Sequence, residues 1–274
     1  MAHVNTLLFA FGLTMFAGMS TVIGSFLVLH VKKIDKKFLS AALGFSAGVM
    51  IYVSLIEIFA EAKLSLTKVY GADKGYWYTT LAFFAGIVLI ALIDRFFSDS
   101  DHPHEILDPG DEKYQQSAGN PELMRVGISS AVAIAIHNFP EGMATFVSAM
   151  EDPTLGLSIA IAIAIHNIPE GIAIAVPIYY ATKDKSKAFL YSFLSGLSEP
   201  LGAVVGYLLI LKLFNKIVND AIFGIVFAAV AGIMVYISLD ELLPTAEKFG
   251  EHHAAIYGLI LGMMLMALSL LLLS

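Results

Sequence analysis

The chain has 274 residues, of which 58% are hydrophobic and only 14% charged; soluble proteins carry about 25% charged residues, so a soluble globule is excluded. Adding the 22 glycines brings the low-polarity total to about 180 residues, enough for roughly eight membrane spans of ~20 residues each. Sixteen basic against 23 acidic residues, a net charge of −7, exclude the basic footprint that nucleic acid requires and disfavour an anionic substrate.

Apolar runs bounded by charge predict helices over 4–30, 39–60, 77–97, 124–149, 155–181, 188–213, 221–243 and 254–273. Each run is long and continuous, and a segment in hydrocarbon can satisfy its own backbone only as a helix. The expected fold is therefore an all-α polytopic membrane protein with eight transmembrane helices in a single domain over 1–274. The first run has no basic segment before it and no obvious cleavage site, and is expected to be a retained span.

Orientation follows from the connections. The odd-numbered ones carry eleven basic residues, from Lys32 to Lys248, and the even-numbered ones five: Lys63, Lys68, Lys74, Lys212 and Lys216. The excess places the odd loops in the cytoplasm and both termini outside. The longest connection, 98–123, is polar and is expected to be a flexible cytosolic loop. Within it His102 and His104 stand beside Asp99, Asp101 and Glu105, a pattern that fits either a weak metal collector or an acidic linker with incidental histidines.

The chain also resembles itself. Ala133-Ile-Ala-Ile-His-Asn-Phe-Pro-Glu-Gly142 in the fourth run recurs 29 residues later as Ala162-Ile-Ala-Ile-His-Asn-Ile-Pro-Glu-Gly171 in the fifth. At an offset of 184, Ala47-Gly-Val-Met-Ile-Tyr-Val-Ser-Leu-Ile-Glu57 matches Ala231-Gly-Ile-Met-Val-Tyr-Ile-Ser-Leu-Asp-Glu241. A fainter match at 178 pairs Gly18, Ser20 and Gly24 with Gly196, Ser198 and Gly202. Every match joins spans of opposite direction, which predicts an inverted repeat of helices 1–3 against 6–8 and 4 against 5, an architecture recurrent in alternating-access transporters.

In each motif the His and Glu are four apart, so His137 and Glu141, and His166 and Glu170, share a helix face with Asn138 and Asn167 beside them. Pro140 and Pro169 cannot donate to the carbonyls of Ile136 and Ile165, which frees an acceptor next to each His. Glu199, followed by Pro200, adds a third carboxylate from the sixth run. An ionisable residue in a membrane helix costs about 2.5–3.5 kcal/mol on the insertion scale, so this concentration requires a compensating partner, most simply a divalent cation. There is no cysteine, so thiolate ligation and disulfides are excluded and a metal must rest on nitrogen, oxygen or thioether sulfur; imidazole with carboxylate suits zinc and its neighbours.

Two His-Asn-x-Pro-Glu-Gly helices followed by Ser-Gly-x-x-Glu-Pro in an eight-span chain closely resemble the ZIP (zinc/iron-regulated transporter-like) divalent-metal transporters, and within them the bacterial GufA-type members. The resemblance implies uptake of zinc, with iron, manganese, cobalt or cadmium as further cargo, through a two-metal-capable site lined by His137, Asn138, Glu141, His166, Asn167, Glu170 and Glu199, by an elevator-like alternating-access mechanism. It implies no enzyme activity and no prosthetic group; the partners are divalent metal ions and the lipid bilayer, in a bacterial inner membrane, and a homodimer is compatible with it. The family's ligand on the second helix falls on Met50, which reads equally as a thioether donor or, like Met234, as a packing side chain.

Glu57 and Glu241, the latter beside Asp240, would lie near the external and internal mouths, either as cation-attracting carboxylates or as interfacial groups facing water. The histidines at span ends, His252 and His253 among them, fit a solvated role. A metal-selective channel would use the same ligands. An intramembrane zinc hydrolase would need a His-Glu-x-x-His helix, which the chain lacks.

Overall fold

The computed structural model describes residues 2–30, 36–97, 121–211, 216–248 and 252–273, and the described residues are helical apart from short connections. The chain runs through α1 (Ala2–His30), α2 (Lys36–Tyr52), a π-helical turn (Val53–Ile58), α3 (Phe59–Tyr70), α4 (Ala72–Phe97), α5 (Pro121–Glu151), α6 (Pro153–Thr182), α7 (Lys185–Gly196), α8 (Ser198–Leu211), α9 (Lys216–Ile237), a second π-helical turn (Ser238–Leu242), α10 (Leu243–Lys248) and α11 (His252–Leu273). Joined where they run on without a break in direction, the described elements give seven stretches long and apolar enough to cross a membrane, Ser40–Tyr70, Lys185–Leu208 and Asp220–Glu247 each spanning more than one element, and α5, at 31 residues, has the length for an eighth crossing.

The connections follow local chemistry. Asp152 caps α6 by accepting from the Thr154 N–H at 2.7 Å and the Leu155 N–H at 3.2 Å, with Pro153 in the first turn. Asp184 caps α7 in the same way through Ser186 and Lys187. The α5–α6 and α6–α7 connections are therefore very short and the spans antiparallel. The last three residues of the expected 98–123 connection are already helical, since α5 begins at Pro121.

Two elements differ from expectation. The second helix does not end near residue 60 but runs on to Tyr70 and stops at Gly71, whose φ of 84° turns the chain straight into α4. Charge at Glu61, Lys63 and Lys68 ends an apolar run but not a helix: Ala62, Ser65 and Leu66 keep a buried stripe at helical spacing while Lys63 and Lys68 face outward. The sixth span is two helices, broken at Leu197 three residues before Pro200, where the ring leaves the carbonyl of Gly196 without an N–H donor.

Burial ranks the helices. In the apolar window of α6, 78% of the residues are buried, against 17% in α4 and 22% in α11, so α6 is the centre and the other two are outer helices. It packs against α1, α5, α2 and α7, whereas α11 packs mainly on α2, and α4 on α9 and α3. Backbones approach closely through glycine, as is common where helices meet in membranes. Gly44 and Gly48 of α2 lie on the Ala255 and Leu259 carbonyls, and Gly258 and Gly262 of α11 lie in return on those of Ala41 and Phe45, with no room for a Cβ at any of the four.

Candidate metal centre

All seven motif residues are fully buried: His137, Asn138 and Glu141 on α5, His166, Asn167 and Glu170 on α6, and Glu199 at the start of α8. The i, i+4 spacing aligns each His with the Glu of its own helix, but the close pairs run between helices. His137 Nε2 stands 3.2 Å from Glu170 Oε1, and His166 Nε2 stands 3.4 Å from Glu141 Oε1. Antiparallel packing of two identical motifs has this result, because the His of each copy arrives level with the Glu of the other.

Glu199 is brought in by Asn167, whose Nδ2 donates both to Glu199 Oε1 and, at 3.0 Å, to the carbonyl of Ala17 on α1. Its backbone is seated on Gly142, the residue after Glu141, and its Cβ faces Gly18 of α1. A side chain on either glycine would displace it. The freed carbonyl of Gly196 also rests against Gly18. From the other side, Ser46 of α2 donates to the His166 carbonyl at 3.3 Å.

Ten side-chain atoms of these seven residues are buried without a hydrogen-bond partner among the described residues: both ring nitrogens of His137, both amide atoms of Asn138, Glu141 Oε1, His166 Nδ1, Asn167 Oδ1, both oxygens of Glu170 and Glu199 Oε2. Buried polar atoms are ordinarily satisfied, each unmade bond costing about 1–3 kcal/mol. Nearly all of the ten can bind a cation. The charges of Glu141 and Glu170 reach Glu199, so the volume carries three carboxylates against two imidazoles. Among the described residues the His, Asp and Glu side chains do not close into a ready-made cluster of three or more; they stand as crossed pairs that a cation would have to draw together.

A family model described as "ZIP Zinc transporter" matches residues 98–270. Over 282 residues and 98% of both chains, the sequence is 58% identical to the zinc transporter ZupT of Clostridium perfringens. It is 58% identical over 272 residues to that of Oceanobacillus iheyensis, covering 99% of this chain and all of the relative, and 57% identical over 263 residues to that of Streptococcus mutans. The chain belongs to the ZIP zinc transporter family. With its long apolar helices, this ZIP protein is an integral multi-pass membrane protein whose relatives are bacterial.

Met50 is fully buried in the core, as is Met234; it sits one turn beyond Ser46, on the side of α2 that reaches His166. Glu57 is half-buried in the first π-helical turn, near the charge of Glu61. In the second, Asp240 is exposed and Glu241 half-buried, close enough for its charge to reach His137. Both matched carboxylates thus sit in π turns, which recur at functional positions. His102 and His104 lie outside the described residues. His252 pairs with Glu247 at 2.9 Å on the surface.

Sequence reasoning missed Ser46, the Ala17 carbonyl and the contacts of Gly18 and Gly142. The fainter repeat pairing Gly18 with Gly196 was the available signal for α1.

Proposed function

We propose that the protein takes up divalent transition-metal cations, zinc first, through a site formed by His137, Asn138, Glu141, His166, Asn167, Glu170 and Glu199. The observation that carries this is the set of ten buried polar atoms on three helices that have no hydrogen-bond partner among the described residues, three of them facing each other only across the His–Glu pairs, in a chain whose relatives are named zinc transporters. The three carboxylates sum to −3 when ionised, so one dication leaves −1 and two leave +1, and by the family resemblance Glu141 and Glu170 would bridge two ions. Three carboxylates in one dry volume do not all stay ionised without a cation, so protons and metal compete for the site. Iron, manganese, cobalt and cadmium share the ligand chemistry.

The access mechanism is alternating, with the motif-bearing helices displaced against a frame that includes α2 and α9. Matched contacts support the inverted repeat behind it. The reciprocal glycine contacts of α2 with α11 are repeated between α9 and α4, where Gly232 lies on Phe83 and Gly86 on Ala229, and both copies of the 184-offset match end in a π turn. In this arrangement both termini lie outside, the connection between α4 and α5 is cytosolic, and the single transmembrane domain resides in the bacterial inner membrane. Glu57 and Glu241 then flank the route on opposite sides.

Zinc uptake into proteoliposomes by wild type, Glu141→Gln and His166→Ala tests the reading. Saturable uptake in the wild type, lost in both variants, is the expected result; equal uptake in all three would overturn the site, and flux that follows voltage without saturation would identify a channel instead.

A further inference from the structure

The close approaches around the site come in matched pairs. Gly142 seats the backbone of Glu199, and Gly171 seats the backbone of Thr21 on α1. The position a Cβ would take on Gly18 is 3.2 Å from the Glu199 Cβ, and the same position on Gly196 is 3.5 Å from the Thr21 Cβ. Gly202 lies on the Phe139 carbonyl, and Gly24 on that of Ile168. The partners in these pairs are separated by 29 or 178 residues, the offsets of the internal repeat. Thr21 therefore stands to the second motif as Glu199 stands to the first.

The hydroxyl of Thr21 is also set apart chemically. Thr14 and Ser25 on the same helix are satisfied by their own backbone, at 2.9 Å to Ala10 and 2.8 Å to Val22, the usual resort of a hydroxyl within a helix. Thr21 is fully buried and its Oγ1 has no hydrogen-bond partner among the described residues. The carbonyl one turn back, where it would normally donate, is that of Ala17, and Asn167 already donates to it.

We infer that Thr21 is the neutral counterpart of Glu199 in the transport site, its hydroxyl holding a water of hydration that the divalent cation keeps. This rests on the metal-transport reading above. A threonine hydroxyl ends two carbons short of a glutamate carboxylate, a gap that a water ligand of a dication fills. Neutrality matters as well: a carboxylate there would bring the site to four negative charges and hold the cation more tightly than a carrier that must release it can use.

Zinc titration calorimetry on the purified full-length protein separates the outcomes. Thr21→Val keeps the shape and removes the hydroxyl; it should weaken zinc binding roughly tenfold, the lower end for loss of an outer-shell partner, while Thr21→Ser binds like wild type. If Thr21→Val binds zinc as tightly as wild type and melts at a higher temperature, the hydroxyl is only an unsatisfied core group and the inference is overturned. The exchange variant Thr21→Glu with Glu199→Thr gives a second reading: it should recover much of the zinc affinity lost in Glu199→Thr alone, and no recovery in monodisperse, cooperatively melting protein would break the equivalence of the two places. Glu141→Gln runs alongside. If it loses zinc while Thr21→Val does not, only the Thr21 assignment fails; if it binds like wild type, the transport site itself fails and Thr21 with it.

Discussion

His137 Nε2 on α5 lies 3.2 Å from Glu170 Oε1 on α6, closer than His166 lies to Glu141 at 3.4 Å. The two motif copies are thus joined crosswise, and removing one member of a pair leaves the other buried without its neighbour. Side chains in such contact are coupled by about 0.5–3 kcal/mol. In metal-free protein held in chelator, double-mutant cycles on thermal stability with His137→Ala and Glu170→Gln, or with His166→Ala and Glu141→Gln, should show coupling of this order. The same-helix cycle of His137→Ala with Glu141→Gln should show less. Equal coupling in all three would mean that helix spacing, not crossing, organises the site.

Zinc affinity should rise from mildly acidic to neutral pH. The direction follows from ligation itself: imidazole and carboxylate bind metal only after losing their protons, and here three carboxylates share one field. Titrations in two buffers of different ionisation enthalpy should detect at least one proton released per zinc bound. An affinity that stayed flat over this range would contradict the competition.

Gly142 and Gly12 make a controlled pair. Gly142 seats the Glu199 backbone with no space for a Cβ, whereas at Gly12 of α1 an added Cβ meets nothing within 4 Å. Gly142→Ala should push α8 off α5, lowering thermal stability and abolishing zinc uptake although no ligand atom has changed. Gly12→Ala should leave uptake intact, and in a helix interior it should gain roughly 0.5–1 kcal/mol. Normal uptake by Gly142→Ala would show that Glu199 does not need its present seat.

What could be read in advance and what could not divide along physical lines. The His, Asn and Glu of the repeated motif stand out because polar groups are costly in hydrocarbon and their recurrence 29 residues apart is not a compositional accident. Spacing along one helix puts His137 and Glu141 on one face, but the partner across the interface depends on how α5 and α6 are levelled, which no single-helix period contains. The same limit hid the Ala17 carbonyl: any helix offers carbonyls, and only the glycine-mediated approach of α1 to α6 selects this one. The extension to Tyr70 was lost because hydropathy stops at the first charges while helical packing of Ala62, Ser65 and Leu66 does not.

Asn138 and Asn167 occupy equivalent places in the repeat and differ in what they already hold. The amide nitrogen of Asn167 has two hydrogens, and both are used, one on the Ala17 carbonyl and one on Glu199, so its Oδ1 is the atom left for a cation. Neither amide atom of Asn138 has a hydrogen-bond partner among the described residues. Replacing each by alanine should therefore separate binding from stability. Asn167→Ala removes a proposed ligand and also leaves the buried Glu199 carboxylate without its amide donor, while the Ala17 carbonyl keeps the Ser20 hydroxyl, so it should weaken zinc binding and cost about 1–3 kcal/mol of stability in chelator. Asn138→Ala should weaken zinc binding while leaving the stability of the metal-free protein unchanged or raised. If the two variants lose stability equally, the hydrogen bonds of Asn167 do not anchor α6 to α1 and α8; if Asn138→Ala leaves zinc affinity untouched, Asn138 is not among the ligands.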